Sequence, residues 1–282
     1  MLPQPTPIAP RTAPTALIKA SHPEPAVAVT LVATGLAFVS GRSGGGLLAV
    51  AATVLASQLA IGWVNDAIDV HRDAAAGRRD KPVATGAVSR RTVAICGAVA
   101  AAATVPLGFL SGVPAGLLAT LALGSALLYD WPLKSTVISV APYAVSFGSL
   151  PAFVLVSGGQ TPPVWLVAAA GLLGAGAHFA NVLPDLAHDE LTGVRGLPQR
   201  LGRTWSSVAA AALLLGATLT LTFGPAGPPS WAGYAALVAA AVALMIGGYA
   251  GSRDPASKAP FRAVMLIAVF DVVLLLVGGT SL

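Results

Sequence analysis

The chain has 282 residues, 55% of them hydrophobic and only 10% charged, with a net charge of +5. Water-soluble domains carry about 25% charged residues, so this composition excludes an ordinary soluble globule and places the chain in a bilayer. A single cysteine, Cys96, excludes a disulfide framework and a paired-cysteine metal site. The basic residues lie in short loops between apolar spans, which argues for orientation in a membrane and against a nucleic-acid partner.

Residues 1–16 (MLPQPTPIAPRTAPTA) are rich in Pro and Thr and lack an apolar period, so they read as a disordered leader. The remainder, 17–282, reads as a single transmembrane domain. Ala26–Ser40 is apolar, but no clear small-x-small cleavage site follows, so it reads as the first membrane helix and not as a signal peptide. A span needs about 20 apolar residues. On that rule the sequence predicts an all-α polytopic protein with nine transmembrane helices, at 26–40, 47–65, 92–110, 115–129, 136–156, 164–182, 206–223, 231–249 and 261–278. Abundant Gly and Ala suit close helix approach in lipid.

With the N-terminus inside, 15 of the 16 Lys and Arg fall on the inner side, among them Arg11, Lys134 and Lys258, and only Arg42 lies outside. The positive-inside rule then puts the N-terminus and the acidic residues on the cytoplasmic face of a bacterial-type plasma membrane. One acid departs from this pattern. Asp271 sits mid-span in the ninth helix, where it lines a pocket or closes a hydrogen-bond network.

A repeat organises the cytoplasmic face. Residues 65–86 (NDAIDVHRDAAAGRRDKPVATG) and 181–202 (NVLPDLAHDELTGVRGLPQRLG) align without a gap at an offset of 116, sharing the pattern N-x3-D-x3-D-x3-G-x-R-x2-P-x3-G. At about 100° per residue, Asp69, Asp73 and Asp66 lie about 40°, 80° and 100° from Asn65, so all four project from one helix face. Asn181, Asp185 and Asp189 repeat the arrangement and His178 joins them, although Pro184 is expected to end or bend that helix.

Adjacent like charges destabilise a helix and carboxylates near lipid are poorly hydrated, so a cation should offset them. Carboxylate and amide oxygens without thiols suit Mg2+, which keeps open positions for phosphate. Gly77 and Gly193 permit a sharp turn after each acidic stretch. Arg72, Arg78, Arg79, Lys81, Arg195 and Arg200 supply donors for phosphate oxygens. Neither copy has the order of an EF-hand loop, and no P-loop Gly-Lys-Ser/Thr is present. These parts point to a lipid carrying a diphosphate.

Asn65-Asp66-x-x-Asp69-x-x-x-Asp73 resembles the N-D-x2-D-x3-D signature of the UbiA-type intramembrane prenyltransferases, and Asp185-x-x-x-Asp189 resembles their second D-x3-D motif. Tyr129-Asp130-Trp131-Pro132-Leu133-Lys134 and Gly193-Val194-Arg195-Gly196-Leu197-Pro198 are similar to two further stretches of that family, and the likeness runs from about Lys19 onward. The resemblance implies one helical bundle around a lipid-accessible cavity. It implies that Asp66, Asp69, Asp73, Asp185 and Asp189 carry the catalysis as Mg2+ ligands, with Asn65 and Asn181 in the same shell. It further implies that Asn65, Arg72, Arg79, Lys81, Tyr129, Lys134 and Arg195 contact the diphosphate. His188 and Glu190 are less typical of the second motif and leave the number of metal ions open.

The expected activity is Mg2+-dependent transfer of a prenyl group from an isoprenoid diphosphate to a lipophilic, aromatic acceptor with release of diphosphate. The alternative is a terpene cyclase of the same family that uses no acceptor. A transporter would place its site near the midplane, whereas both copies here lie on one side. A CDP-alcohol phosphotransferase would need Asp-Gly and Ala-Arg elements that this sequence lacks.

Overall fold

A computed structural model of the chain describes residues 13–186, 189, 192–254 and 259–278. The expected leader up to residue 12, including Arg11, lies outside the described residues, as do His188, Glu190 and Lys258. The described residues form an all-α structure without strands. It comprises α1 (Ala13–Ala20), α2 (Pro23–Val39), α3 (Gly44–Ala75), α4 (Arg90–Phe109), α5 (Val113–Asp130), α6 (Ala141–Ser157), α7 (Val164–Val182), α8 (Leu197–Phe223), α9 (Trp231–Arg253) and α10 (Ala259–Gly278). A single 3-10 turn, Leu133–Ser135, lies between α5 and α6.

The last residues of the expected leader are not disordered. α1 is helical because its small apolar face has somewhere to go: Ala16 and Ala20 are fully buried with Ala67, Val83, Val88 and Val93. Trp63 Nε1 also donates to the Leu17 carbonyl at 2.9 Å. α1 and α2 meet at a 62° bend, where His22 takes a left-handed conformation (φ 53°). The bend sits tightly against α3, since a Cβ on Gly62 would lie 2.3 Å from the Ser21 carbonyl oxygen.

The long helices α2–α10 fall in the nine segments read as spans. By length and apolar content, seven of the described helices are able to cross a membrane alone, and eight if the bent α1–α2 pair counts as one span. α6, with 17 residues, is the shorter apolar helix that leaves the count of nine unmet. α3 exceeds its predicted span. Its 32 residues extend about 48 Å, against a hydrocarbon core of about 30 Å, so its last turns carry Asp66, Asp69 and Asp73 beyond the apolar layer.

Each helix packs on the next in the chain, and α10 returns against α2, α7 and α8, closing a ring. Several threonines inside the spans are satisfied locally. Thr30, Thr34, Thr53, Thr104 and Thr120 each donate to the carbonyl four residues back, which lets a hydroxyl sit in apolar surroundings without an orphan donor. Asp271 is fully buried and its Oδ1 accepts from Thr218 Oγ1 at 2.6 Å, tying α10 to α8. It therefore closes a hydrogen-bond pair between helices and lines no cavity described here.

Candidate active site

Both copies of the repeat turn at their glycines. Gly77 and Gly193 have φ of 64° and 78°, and Gly86 and Gly202 have 74° and 73°. A side chain in this left-handed region is strained, so the repeated glycines mark the same chain reversal made twice. In the first copy the reversal brings Arg78 and Lys81 back toward the acidic end of α3, whereas in the second it brings back Val194 and Gln199. α7 stops at Val182, just before Pro184, whose ring removes a donor and clashes with the preceding turn.

A polar chamber of about 490 Å³ opens between the two copies. Asp69, Arg72 and Asp73 line it from α3, Arg78, Asp80 and Lys81 from the following loop, and Asp185, Asp189 and Gln199 from the second copy. Asp69 holds two cations, with Lys134 Nζ on Oδ1 and Arg72 Nη2 on Oδ2. Asp73 is 6% exposed and, among the described residues, makes no side-chain hydrogen bond or ion pair. Gln199 Nε2 donates to Asp189 Oδ2 at 2.8 Å. Arg78 bridges the copies: it forks onto Asp80 at 3.0 and 2.9 Å, and its Nη1 lies 3.8 Å from Asp185. That fork pulls the Asp80 carboxyl down to about 2 and raises the Arg78 guanidinium above the usual arginine range, so the pair stays ionised at any working pH.

A second, mainly apolar chamber of about 370 Å³ runs into the bundle between α2, α3, α5 and α6. Phe147, Leu150 and Phe153 are part of its wall, whereas Phe179 belongs to a separate core cluster. The two chambers share five lining residues: His22, Asn65, Tyr129, Tyr143 and Asn181. Polar and apolar spaces thus meet at one neck.

The structure gathers Asn65, Asp69, Arg72, Asp73, Lys81, Tyr129, Lys134, Asn181, Asp185 and Asp189 around the polar chamber. Three expected residues are placed elsewhere. Asp66, 1% exposed, turns to the side: its Oδ1 lies 2.6 Å from Lys81 Nζ and 2.9 Å from His22 Nε2. The helical fan of about 100° is wide enough that its edge faces the α1–α2 bend and not the chamber. Arg79 and Arg195 are exposed and absent from the chamber wall. Arg78 takes the place expected of Arg79, because the turn at Gly77 points successive side chains in different directions.

Asp130, Tyr143 and Gln199 also line the two chambers, although the sequence assigned none of them a role. Asp130, 2% exposed, accepts from Asn65 Nδ2 at 2.9 Å and so fixes that amide. Its neighbour Tyr129 and the later Lys134 were the available signal. Tyr143 has none, being one of three aromatics in an apolar helix.

The donor set is compatible with Mg2+. Among the described residues no three His, Cys, Asp or Glu side chains converge on one point, which is unsuited to an all-protein cage. The chamber instead offers oxygen donors on two facing walls with cations between them. Mg2+ is usually held through one or two carboxylates together with substrate phosphates, and such a divided set fits that mode.

Fold and site together define an integral membrane protein with an internal cavity that is charged at one end and apolar at the other. Residues 26–270 match the UbiA prenyltransferase family, and the chain belongs to that family; it is a prenyltransferase. It is 26% identical over 206 residues to the digeranylgeranylglyceryl phosphate synthase of Methanothermobacter thermautotrophicus, covering 72% of this chain and 73% of that one. A solved structure of a digeranylgeranylglyceryl phosphate synthase superposes with a TM-score of 0.73 at 16% identity, covering 96% of this chain and 99% of the other. A UbiA homolog from Archaeoglobus fulgidus, solved with GPP and Mg2+ bound, superposes with a TM-score of 0.71 at 14% identity, covering 95% and 100%. These structural likenesses establish the shared fold.

Proposed function

We propose that the chain transfers a prenyl group from an isoprenoid diphosphate to a lipophilic acceptor and releases diphosphate, on the cytoplasmic side of the membrane. The observation that carries this reading is the joining of a charged chamber to an apolar one at a single neck, which matches the shape of an amphiphile with a polyanionic head. The Archaeoglobus fulgidus homolog was solved with GPP and Mg2+, a ligand of that shape.

In this reading Arg72, Lys81 and Lys134 draw in the diphosphate, while Asn65 and Asn181 orient it at the neck. Asp69 keeps Arg72 and Lys134 aimed inward. Asp66 anchors Lys81 and is a positioning residue. Asp73, Asp185 and Asp189 are the carboxylates that would hold Mg2+, with Asp69 beside them. Bound there, Mg2+ neutralises charge on the departing diphosphate. The apolar chamber holds the prenyl chain and excludes water, so that the ionised carbon meets the acceptor before it meets solvent.

The acceptor follows from a product screen. The purified chain, given geranyl diphosphate and Mg2+ with phenolic lipids or with aliphatic lipid alcohols, is expected to yield a prenylated acceptor by mass spectrometry. An acceptor-independent cyclic hydrocarbon or alcohol favours the cyclase reading, and no product of either kind refutes prenyl transfer. Within the basic loop, Arg78→Ala is expected to raise KM for the diphosphate about tenfold, because it removes the cation held at the chamber wall between Asp80 and Asp185. Arg79→Ala should stay within about twofold, as for an exposed cation. Equal effects would contradict the placement of the two arginines.

A further inference from the structure

The apolar chamber reaches far into the bundle. Along α3 its lining runs from Asn65 at the neck to Thr53, a depth of about 18 Å at the rise of an α-helix. Ala119, Ala122 and Ala126 of α5 and Phe147, Leu150 and Phe153 of α6 wall it with hydrocarbon. Most hydroxyls in the lining are engaged by backbone: Thr53 donates to the Ala49 carbonyl at 2.7 Å, Thr104 to that of Ala100 at 2.9 Å and Ser146 to that of Ala122 at 2.9 Å. A prenyl chain meets little there but carbon.

One group breaks this lining. Gln58 lines the chamber from the same face of α3 as Asn65, about two turns or about 10 Å deeper. Among the described residues its amide has no hydrogen-bond partner, and neither has the hydroxyl of Ser57 beside it. Both stand near the middle of a helix long and apolar enough to cross the bilayer, where a polar group without a partner is costly. A glutamine amide has two N–H donors and a carbonyl acceptor to fill, and no side chain of the lining fills them.

The proposed prenyl transfer, on which this inference rests, puts the head of the substrate in the charged chamber and the first carbon of its chain at the neck. An extended isoprene unit is about 5 Å long from its C–C bonds, so two units reach the level of Gln58 and a third runs past it. A three-unit chain still fits within the depth of about 18 Å, so space does not exclude it. The amide does. A two-unit chain ends at Gln58 and leaves it open to water, whereas a third unit covers the amide with hydrocarbon and seals it without a partner. The third unit gains nothing in return, since it comes from lipid tails as apolar as the chamber. We propose that Gln58 is a specificity-determining residue that sets the chain length of the isoprenoid diphosphate, favouring geranyl over farnesyl and longer chains by polarity and not by size. The wrong chain is rejected because it leaves a buried polar group unpaired.

The test uses the full chain in lipid nanodiscs with Mg2+ and geranyl, farnesyl or geranylgeranyl diphosphate, measuring the affinity of each by competition and, separately, single-turnover diphosphate release. The wild-type chain should bind geranyl diphosphate about tenfold more tightly than farnesyl diphosphate, the scale of one polar group left unpaired. Gln58→Leu and Gln58→Met, similar in size and without the amide, should bring that ratio close to unity. Gln58→Asn, which shortens the side chain and keeps the amide, should retain the preference for geranyl. Equal affinities in the wild type, or a preference that survives in both Gln58→Leu and Gln58→Met, overturns the proposal. So does a Gln58→Asn chain as permissive as Gln58→Leu, since size and not polarity would then decide. Two apolar variants are compared so that a folding defect in one leaves the other decisive. A wild-type chain that binds these diphosphates but releases diphosphate from none refutes prenyl transfer, and the affinities still decide for or against Gln58.

Discussion

Asp69→Ala is expected to lower diphosphate release by about 10²–10³-fold, the scale seen when one preorganised charge contact is removed from a reacting centre. The reason lies in what Asp69 holds. Its two oxygens take Lys134 from beyond α5 and Arg72 from the next turn of α3, so one buried carboxylate aims two cations from two elements into the chamber. Without it both lose their fixed direction, and the wall keeps two positive charges without the carboxylate that aimed them. Prenyl diphosphate should still bind, since the cations remain, and the loss should fall on turnover. Wild-type turnover in Asp69→Ala would remove Asp69 from the site.

Lys81→Met is expected to give the largest loss of stability, about 3–5 kcal/mol, because it strands a buried charge. Asp66 is 1% exposed, Lys81 Nζ lies on its Oδ1, and its Oδ2 has no hydrogen-bond partner. His22, at 2.9 Å, does not replace a full ammonium charge unless protonated. The double change Asp66→Asn, Lys81→Met should recover much of the loss, since neither charge then remains. Thermal unfolding in detergent, compared across wild type, single and double variants, reads this directly. A single variant as stable as wild type would show that the ion pair contributes nothing to the fold.

The repeat was legible because identities at fixed spacing survive any packing: four glycines recur in register, and all four adopt positive φ. The helix positions were legible from apolar runs alone. What failed depended on neighbours. Asp66 shares a face with Asn65 and Asp69 on a helical wheel, but the α1–α2 bend and Lys81 stand beside it, and no spacing rule reveals them. Arg78 and Arg79 are adjacent basic residues in one loop, and the turn at Gly77 decides which of them looks inward. Tyr143 resembles any aromatic in an apolar helix until α7 and Tyr129 close around it. The end of the leader looked unstructured by composition, yet two buried alanines, Ala16 and Ala20, suffice to dock it as α1.

The central claim is that one amphiphile occupies both chambers and loses its diphosphate at the neck. The most direct measurement follows release of diphosphate from geranyl diphosphate by the wild-type chain, with Mg2+ or with EDTA, and with or without an acceptor. Release that requires Mg2+ and rises with the acceptor, in step with formation of prenylated product, is the result expected. Release that ignores both, or intact geranyl diphosphate under every condition, would contradict it.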